Sequence, residues 1–137
     1  MDYTFEDFTR YKQYLNTIQQ VLDSYFEDQK EYICCKKGCA HCCKKGNYPY
    51  SDIEAKFLLL GFFKIERSQQ IKVIEKIKKL KEEYSKTENK KDFSHACPFL
   101  SDENVCLVYD YRGLICRTFG LLTIQASDEI TIPFCNA

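Results

Sequence analysis

Cys34-Cys35-Lys36-Lys37-Gly38-Cys39-Ala40-His41-Cys42-Cys43 is the stretch on which the reading of this chain turns. Five of the nine cysteines in the 137-residue sequence fall inside these ten positions. The other four, Cys97, Cys106, Cys116 and Cys135, lie in the last third. Thiols crowded this closely are a liability unless they are oxidised to disulfides or deprotonated onto a metal. From Cys35 onward the pattern is C-x3-C-x2-C-C. Thiolates two or three residues apart converge on one centre from a tight loop, and Gly38 gives that loop its backbone freedom. The adjacent Cys42 and Cys43 point differently, so the pair is best explained by ligating or bridging two metals. With Cys34 set aside as the spare, eight thiols remain: Cys35, Cys39, Cys42, Cys43, Cys97, Cys106, Cys116 and Cys135. They suit two four-sulfur sites or one polynuclear cluster. Soft sulfur donors select Zn2+ or an iron–sulfur cluster over the oxygen-seeking Mg and Ca.

The competing outcome is a disulfide framework, and compartment separates the two. The acidic start, Met1-Asp-Tyr-Thr-Phe-Glu-Asp, has no basic segment followed by an apolar run, so it does not read as a signal peptide. The most apolar segment, 57–63, is far too short to span a bilayer. The expectation is therefore a cytoplasmic chain without membrane insertion, where thiols stay reduced and cysteine clusters serve metals or catalysis. An odd number of cysteines, and the strain of bridging from neighbours 42 and 43, also weigh against disulfides.

Twenty basic and twenty acidic side chains cancel, so no global field points to nucleic acid. Lys36, Lys37, Lys44 and Lys45 flank the cluster, and Arg112 and Arg117 flank Cys116. Compensation of a negatively charged thiolate–metal centre is the simplest account of that basic rim. Metal ions are the expected partners, and a protein partner stays open.

Around the cysteines the periodicity predicts helices. Phe8, Tyr11, Leu15, Ile18, Leu22, Tyr25 and Phe26 recur at helical spacing between about residues 3 and 32. Ser51 and Glu54 form a capping-box start to a second helix whose body, 53–63, is apolar nearly all round and reads as the buried centre, with Gly61 near its end. A third begins near Ser68 and carries Ile71, Ile74, Ile77, Leu80 and Tyr84 on one stripe. Beyond 92 the texture changes. Cys97-Pro-Phe-Leu and Val105-Cys-Leu-Val-Tyr read as extended runs about a Ser-Asp-Glu-Asn turn, and 118–125 with 129–134 as a second pair. The expected fold is one domain over 1–137, mostly α with a small β-hairpin region (α+β), its helices packed around a cysteine-rich metal-binding core. Residues 1–33 form the N-terminal helix, and 34–137 carry the motifs.

These motifs resemble the YkgJ-type cysteine-cluster family, the CxxCxxCC domains described as zinc- or iron-chelating. The matching residues are Cys35, Cys39, Cys42 and Cys43, then Cys97-Pro-Phe-Leu, Cys106 with Tyr109, Tyr111-Arg112, Cys116-Arg117 with Phe119, and Cys135 last. The family typically has Arg-Pro where this chain has Arg112-Gly113. The resemblance implies a metal-binding protein. Through the flagellin lysine N-methylases, which include a similar cluster, it also implies an alternative role as an iron–sulfur-dependent enzyme or redox protein.

Sharper chemistries compare poorly with metal ligation. Cys35-x3-Cys39-x2-Cys42 has radical S-adenosylmethionine spacing, but an immediate fourth cysteine argues against an open iron, and no alternating strand–helix pattern exists to build that fold. His95 beside Cys97, or His41 beside Cys42, could serve a thiol nucleophile as base. Histidines among metal-type cysteines more often orient ligands. Neither belongs to the primary ligand set, and Tyr109, Tyr111 and Phe119 are expected as walls of the centre. Three functions stay open: a structural metal in a binding module, an iron–sulfur redox or catalytic centre, and metal storage or delivery. Whether the chain is an enzyme is not decided by its residues.

Overall fold

A computed structural model of the chain describes residues 2–31, 41–44, 46, 48–118, 121, 123–124 and 130–131, with backbone alone at 41, 42, 123, 124, 130 and 131. The described part is mostly helical. The first helix, α1 (Phe5–Asp28), runs unbroken for 24 residues. Its start is a capping box: the Thr4 hydroxyl accepts from the Asp7 amide, and the Asp7 carboxylate accepts from the Thr4 amide at 2.8 Å. Tyr11, Leu15 and Leu22 are buried along its inner face, while Tyr25 is exposed. A short α2 (His41–Lys44) follows, then α3 (Asp52–Phe62), α4 (Arg67–Lys86) and a brief α5 (Leu114–Thr118).

Ser51 caps α3 as its sequence demands, with Glu54 answering as the reciprocal partner. Yet α3 is not wrapped on all sides. Phe57 and Gly61 are buried, whereas Leu59, Leu60 and Phe63 face solvent. Gly61 stands one residue before the last of α3, where a Cβ would fall 2.6 Å from the Tyr111 ring, so the glycine permits close packing of that ring. In α4 the stripe of Ile71, Ile74, Ile77 and Tyr84 is exposed, and the buried contact is Val73, at 0% exposure. Periodicity marks the apolar face but does not say which neighbour covers it.

Among the described residues the core is therefore hydrophobic and lies in two clusters. Tyr11, Leu15 and Phe57 join α1 to α3, with Leu114 and Tyr111 against them. Val73, Phe99 and Val108 join α4 to the loops around residue 100, with Leu58, Phe62 and Tyr111 at the edge. Tyr111 bridges the two, its ring 4.9 Å from that of Phe57. The expected packing of helices around a cysteine-rich core is thus not what the described residues form. Cys97 and Cys106 border the second apolar cluster.

The small β-hairpin region is not shown either. Between Cys97-Pro-Phe-Leu and Val105-Cys-Leu-Val-Tyr there is one isolated bridge, Leu100 to Cys106. The intervening turn is closed by the Ser101 amide donating to the Val105 carbonyl at 2.9 Å, with Asn104 at φ 61°. Asn tolerates that left-handed backbone better than other side chains. After the bridge the chain turns into a 3-10 segment at Tyr109–Tyr111, so no ladder propagates. Of the second expected pair, α5 takes residue 118, and only Thr123–Ile124 pairs with Ile130–Thr131, antiparallel. The remainder of that pair lies outside the described residues.

Candidate metal centre

Cys43 of the first cysteine group and Cys97 of the second meet through the backbone. The Cys97 amide donates to the Cys43 carbonyl at 2.6 Å. Gly46 and His95 exchange both of their backbone hydrogen bonds at 3.0 Å in an antiparallel bridge. Together they clamp the segment after α2 alongside residues 95–97. The Leu100–Cys106 bridge then returns Cys106 next to the Cys97 loop, and the Lys76 ammonium on α4 holds that loop by donating to the Leu100 carbonyl at 2.8 Å.

Cys116 arrives on α5. Glu54 fixes the start of that helix: one oxygen accepts from the Ser51 amide at 2.7 Å and the other from the Leu114 amide at 2.9 Å. One carboxylate thus caps two helix N-termini, the second too short to hold itself by propagation. Burial works against this carboxylate, but the amides of Leu114 and Ser51 and the Ser51 side chain outweigh it and hold its pKa below the usual range. Tyr50 completes the seat of Cys116. Its hydroxyl accepts from the Gly113 amide at 3.0 Å and lies 3.2 Å from Cys116 Sγ.

Electrostatics show which described thiols influence one another. Cys97 is half-buried, and burial pushes its pKa up to about 11, reinforced by Cys106 and Cys116 and opposed by the Phe99 backbone and Lys76. Tyr50 is raised as well, first by burial and then by its bond to Cys116, with Cys97 adding to the effect. Cys97, Cys106 and Cys116 therefore sit within electrostatic reach of one another although ten or so residues separate each from the next.

The flanking arginines are structural staples as well as charges. Arg112 stacks on the Tyr109 ring, 3.7 Å from its centroid, and donates to the carbonyls of Tyr109 and Cys116. Arg117 donates to the carbonyls of Arg112 and Asp110 and to Gln19 Oε1 on α1, at 3.1 Å for the last. Burial lowers its pKa, and the neighbouring Arg112 lowers it further. Among the described residues neither guanidinium has a carboxylate at ion-pair distance. Two partly buried cations beside Cys116 leave positive potential that anionic sulfur would offset.

Of the expected ligands, the structure describes Cys43, Cys97, Cys106 and Cys116, all half-buried. Cys42 is on α2 with only its backbone described, and Cys34, Cys35, Cys39 and Cys135 lie outside the described residues. So do Lys36, Lys37, Lys45 and Phe119. Among the described residues no group of three or more His, Cys, Asp or Glu is arranged to hold a metal ion. What they present is a set of neighbouring thiols, a hydroxyl directed at one of them and a cationic flank. That donor chemistry fits zinc or iron and excludes a hard-cation site. His95 directs Nδ1 to the Ala96 carbonyl at 2.9 Å, with its ring against Phe93. Tyr111 packs on the same apolar cluster that Cys97 and Cys106 border, and Tyr109 is exposed beneath the Arg112 guanidinium. Sequence reasoning missed Tyr50, Glu54 as the α5 cap, and Gln19. Only Tyr50, an aromatic directly before a helix cap, carried any local signal.

A mostly helical domain in which Cys43 and Cys97, from distant segments, meet through their backbones is the setting in which the family match is read. The chain belongs to the CxxCxxCC family, described as a "putative zinc- or iron-chelating domain", whose family model matches residues 34–136, more than half of the sequence. Membership supports metal binding as the general activity and metal ions as partners. No curated protein and no solved structure matches the chain. Among the described residues no helix is long and apolar enough to cross a membrane.

Proposed function

We propose that this domain binds zinc or an iron–sulfur cluster through the thiolates of Cys35, Cys39, Cys42, Cys43, Cys97, Cys106, Cys116 and Cys135, in a reducing, cytoplasmic setting. The observation that carries the reading is the Cys43–Cys97 backbone bond, which ties the N-terminal cysteine loop to a segment whose thiol feels Cys106 and Cys116. Bound metal would then crosslink the helices to the loop-rich part beyond residue 92, whose own apolar core is thin. A shell closed by sulfur leaves no open position for substrate, so the metal's first role is to hold the fold. Lys76, Arg112 and Arg117 offset the charge of the ligated thiolates.

Anaerobic purification with elemental analysis and a visible spectrum tests this. A colourless protein with stoichiometric zinc supports a structural centre. Brown protein with iron and sulfide supports the same ligand set with a redox or catalytic role. Ready exchange with chelator in the folded state supports metal delivery. A folded native protein that holds no metal while all nine thiols react with a thiol reagent sinks the proposal.

A further inference from the structure

We propose that the Tyr50 hydroxyl donates a hydrogen bond to the Cys116 sulfur when that sulfur is a metal-bound thiolate, and that Gly113 is the residue that lets it do so. This rests on the thiolate centre proposed above, and it names a positioning residue outside the cysteine set.

Two contacts and one close approach define the arrangement. Tyr50 Oη lies 3.2 Å from Cys116 Sγ, and the same oxygen accepts from the Gly113 amide at 3.0 Å. A Cβ on Gly113 would fall 2.7 Å from the Tyr50 ring, so any larger residue displaces the ring from this seat. Proline there would also lack the N–H that the hydroxyl oxygen receives. Glycine is the one residue that offers the amide and leaves room for the ring.

Protonation fixes the direction of the bond. A neutral thiol can donate or accept, but a thiolate only accepts. With Gly113 filling one lone pair of the oxygen, the hydroxyl proton is free to point at sulfur. Such a bond draws charge off the sulfur, offsets the cost of a half-buried anion and holds Cys116 in one orientation. It supplies a donor that Arg112 does not, since that guanidinium reaches the Cys116 carbonyl at 3.3 Å.

Tyr50→Phe keeps the ring and removes the hydroxyl. The test uses full-length chain, made metal-free and reconstituted with cobalt(II). The variant is expected to take up the same cobalt per chain with unchanged helical circular dichroism. Its sulfur-to-cobalt charge-transfer band should move to longer wavelength, because an unbonded thiolate is a better electron donor. Release to excess chelator should be about 10-fold faster, the lower end of what second-layer partners of metal ligands contribute. Gly113→Ala should reproduce the band shift by moving the ring. A merely structural Tyr50 would alter stability and leave the band in place. Unchanged band and release rate in Tyr50→Phe overturn the inference while leaving the metal centre intact. A wild-type chain with no sulfur–cobalt band overturns both.

Discussion

Glu54 Oε1 accepts the Leu114 amide at 2.9 Å across 60 residues of chain. The start of α3 and the start of the helix that carries Cys116 therefore share one carboxylate. Cap residues of this kind are worth about 0.5–2 kcal/mol each. Glu54→Ala should lower unfolding free energy in urea by about 2 kcal/mol, since two amides lose their acceptor. A loss below a few tenths would show the contact to be idle.

The same carboxylate makes stability depend on acid. Its pKa is lower in the fold than in the unfolded chain, so its contribution is complete above the ordinary carboxylate range and disappears as pH falls through the folded value. Wild-type melting temperature should fall from about pH 5 downward. Glu54→Gln should start lower and fall less steeply over that window. Asp7, similarly depressed by its bonds to Thr4, leaves a residual slope in the variant.

Gly61 and Tyr111 are in direct contact. Alanine gains about 1 kcal/mol over glycine in a helix interior. Here its Cβ would meet the Tyr111 ring at 2.6 Å. That ring is held between Phe57 and the Lys64 ammonium, which donates to its hydroxyl at 2.6 Å. With little room to retreat, overpacking wins. Gly61→Ala should destabilise by about 1 kcal/mol net in denaturant titration, and a stabilised variant would mean the ring moves freely.

Two neighbouring α4 positions should behave oppositely to their hydrophobicity. Val73→Ala removes two methyl groups from a fully buried site and should cost about 2 kcal/mol. Ile74, larger but 41% exposed, should cost about 0.5 kcal/mol or less on truncation to alanine. Equal losses would mean the exposed stripe is covered.

Arg117 links α5 to α1 through Gln19 and to the preceding turn through two carbonyls. Lysine preserves the charge but cannot present the planar fork. Arg117→Lys should cost about 1–2 kcal/mol by thermal unfolding, and Gln19→Ala less than half of that.

Local patterns were legible from the residues alone. An N-terminal helix (expected over about 3–32, found over Phe5–Asp28), the Ser51–Glu54 cap and the start of α4 near Ser68 follow from apolar spacing and cap chemistry, which act within one or two turns. Which face is buried was less legible. The Ile71, Ile74 and Ile77 stripe satisfies the same period as Val73 and its neighbours, and only the position of Phe99 and Val108 selects Val73. The extended runs around 97–109 misled for a related reason. Their residues favour strands, but the turn at Asn104 and the 3-10 segment after it leave no length for a ladder.

By itself the sequence determined the chemistry on offer: nine soft donors in two groups, a basic flank, helix-forming stretches between them and a family. Those properties belong to side chains and short spacings. Tertiary structure alone decided that Cys43 lies against Cys97, that Tyr50 reaches Cys116 past Gly113, and that Gln19 meets Arg117. Each of those contacts joins residues dozens of positions apart, where period and propensity carry no signal and only the packing of α1, α3 and the later loops sets the distance.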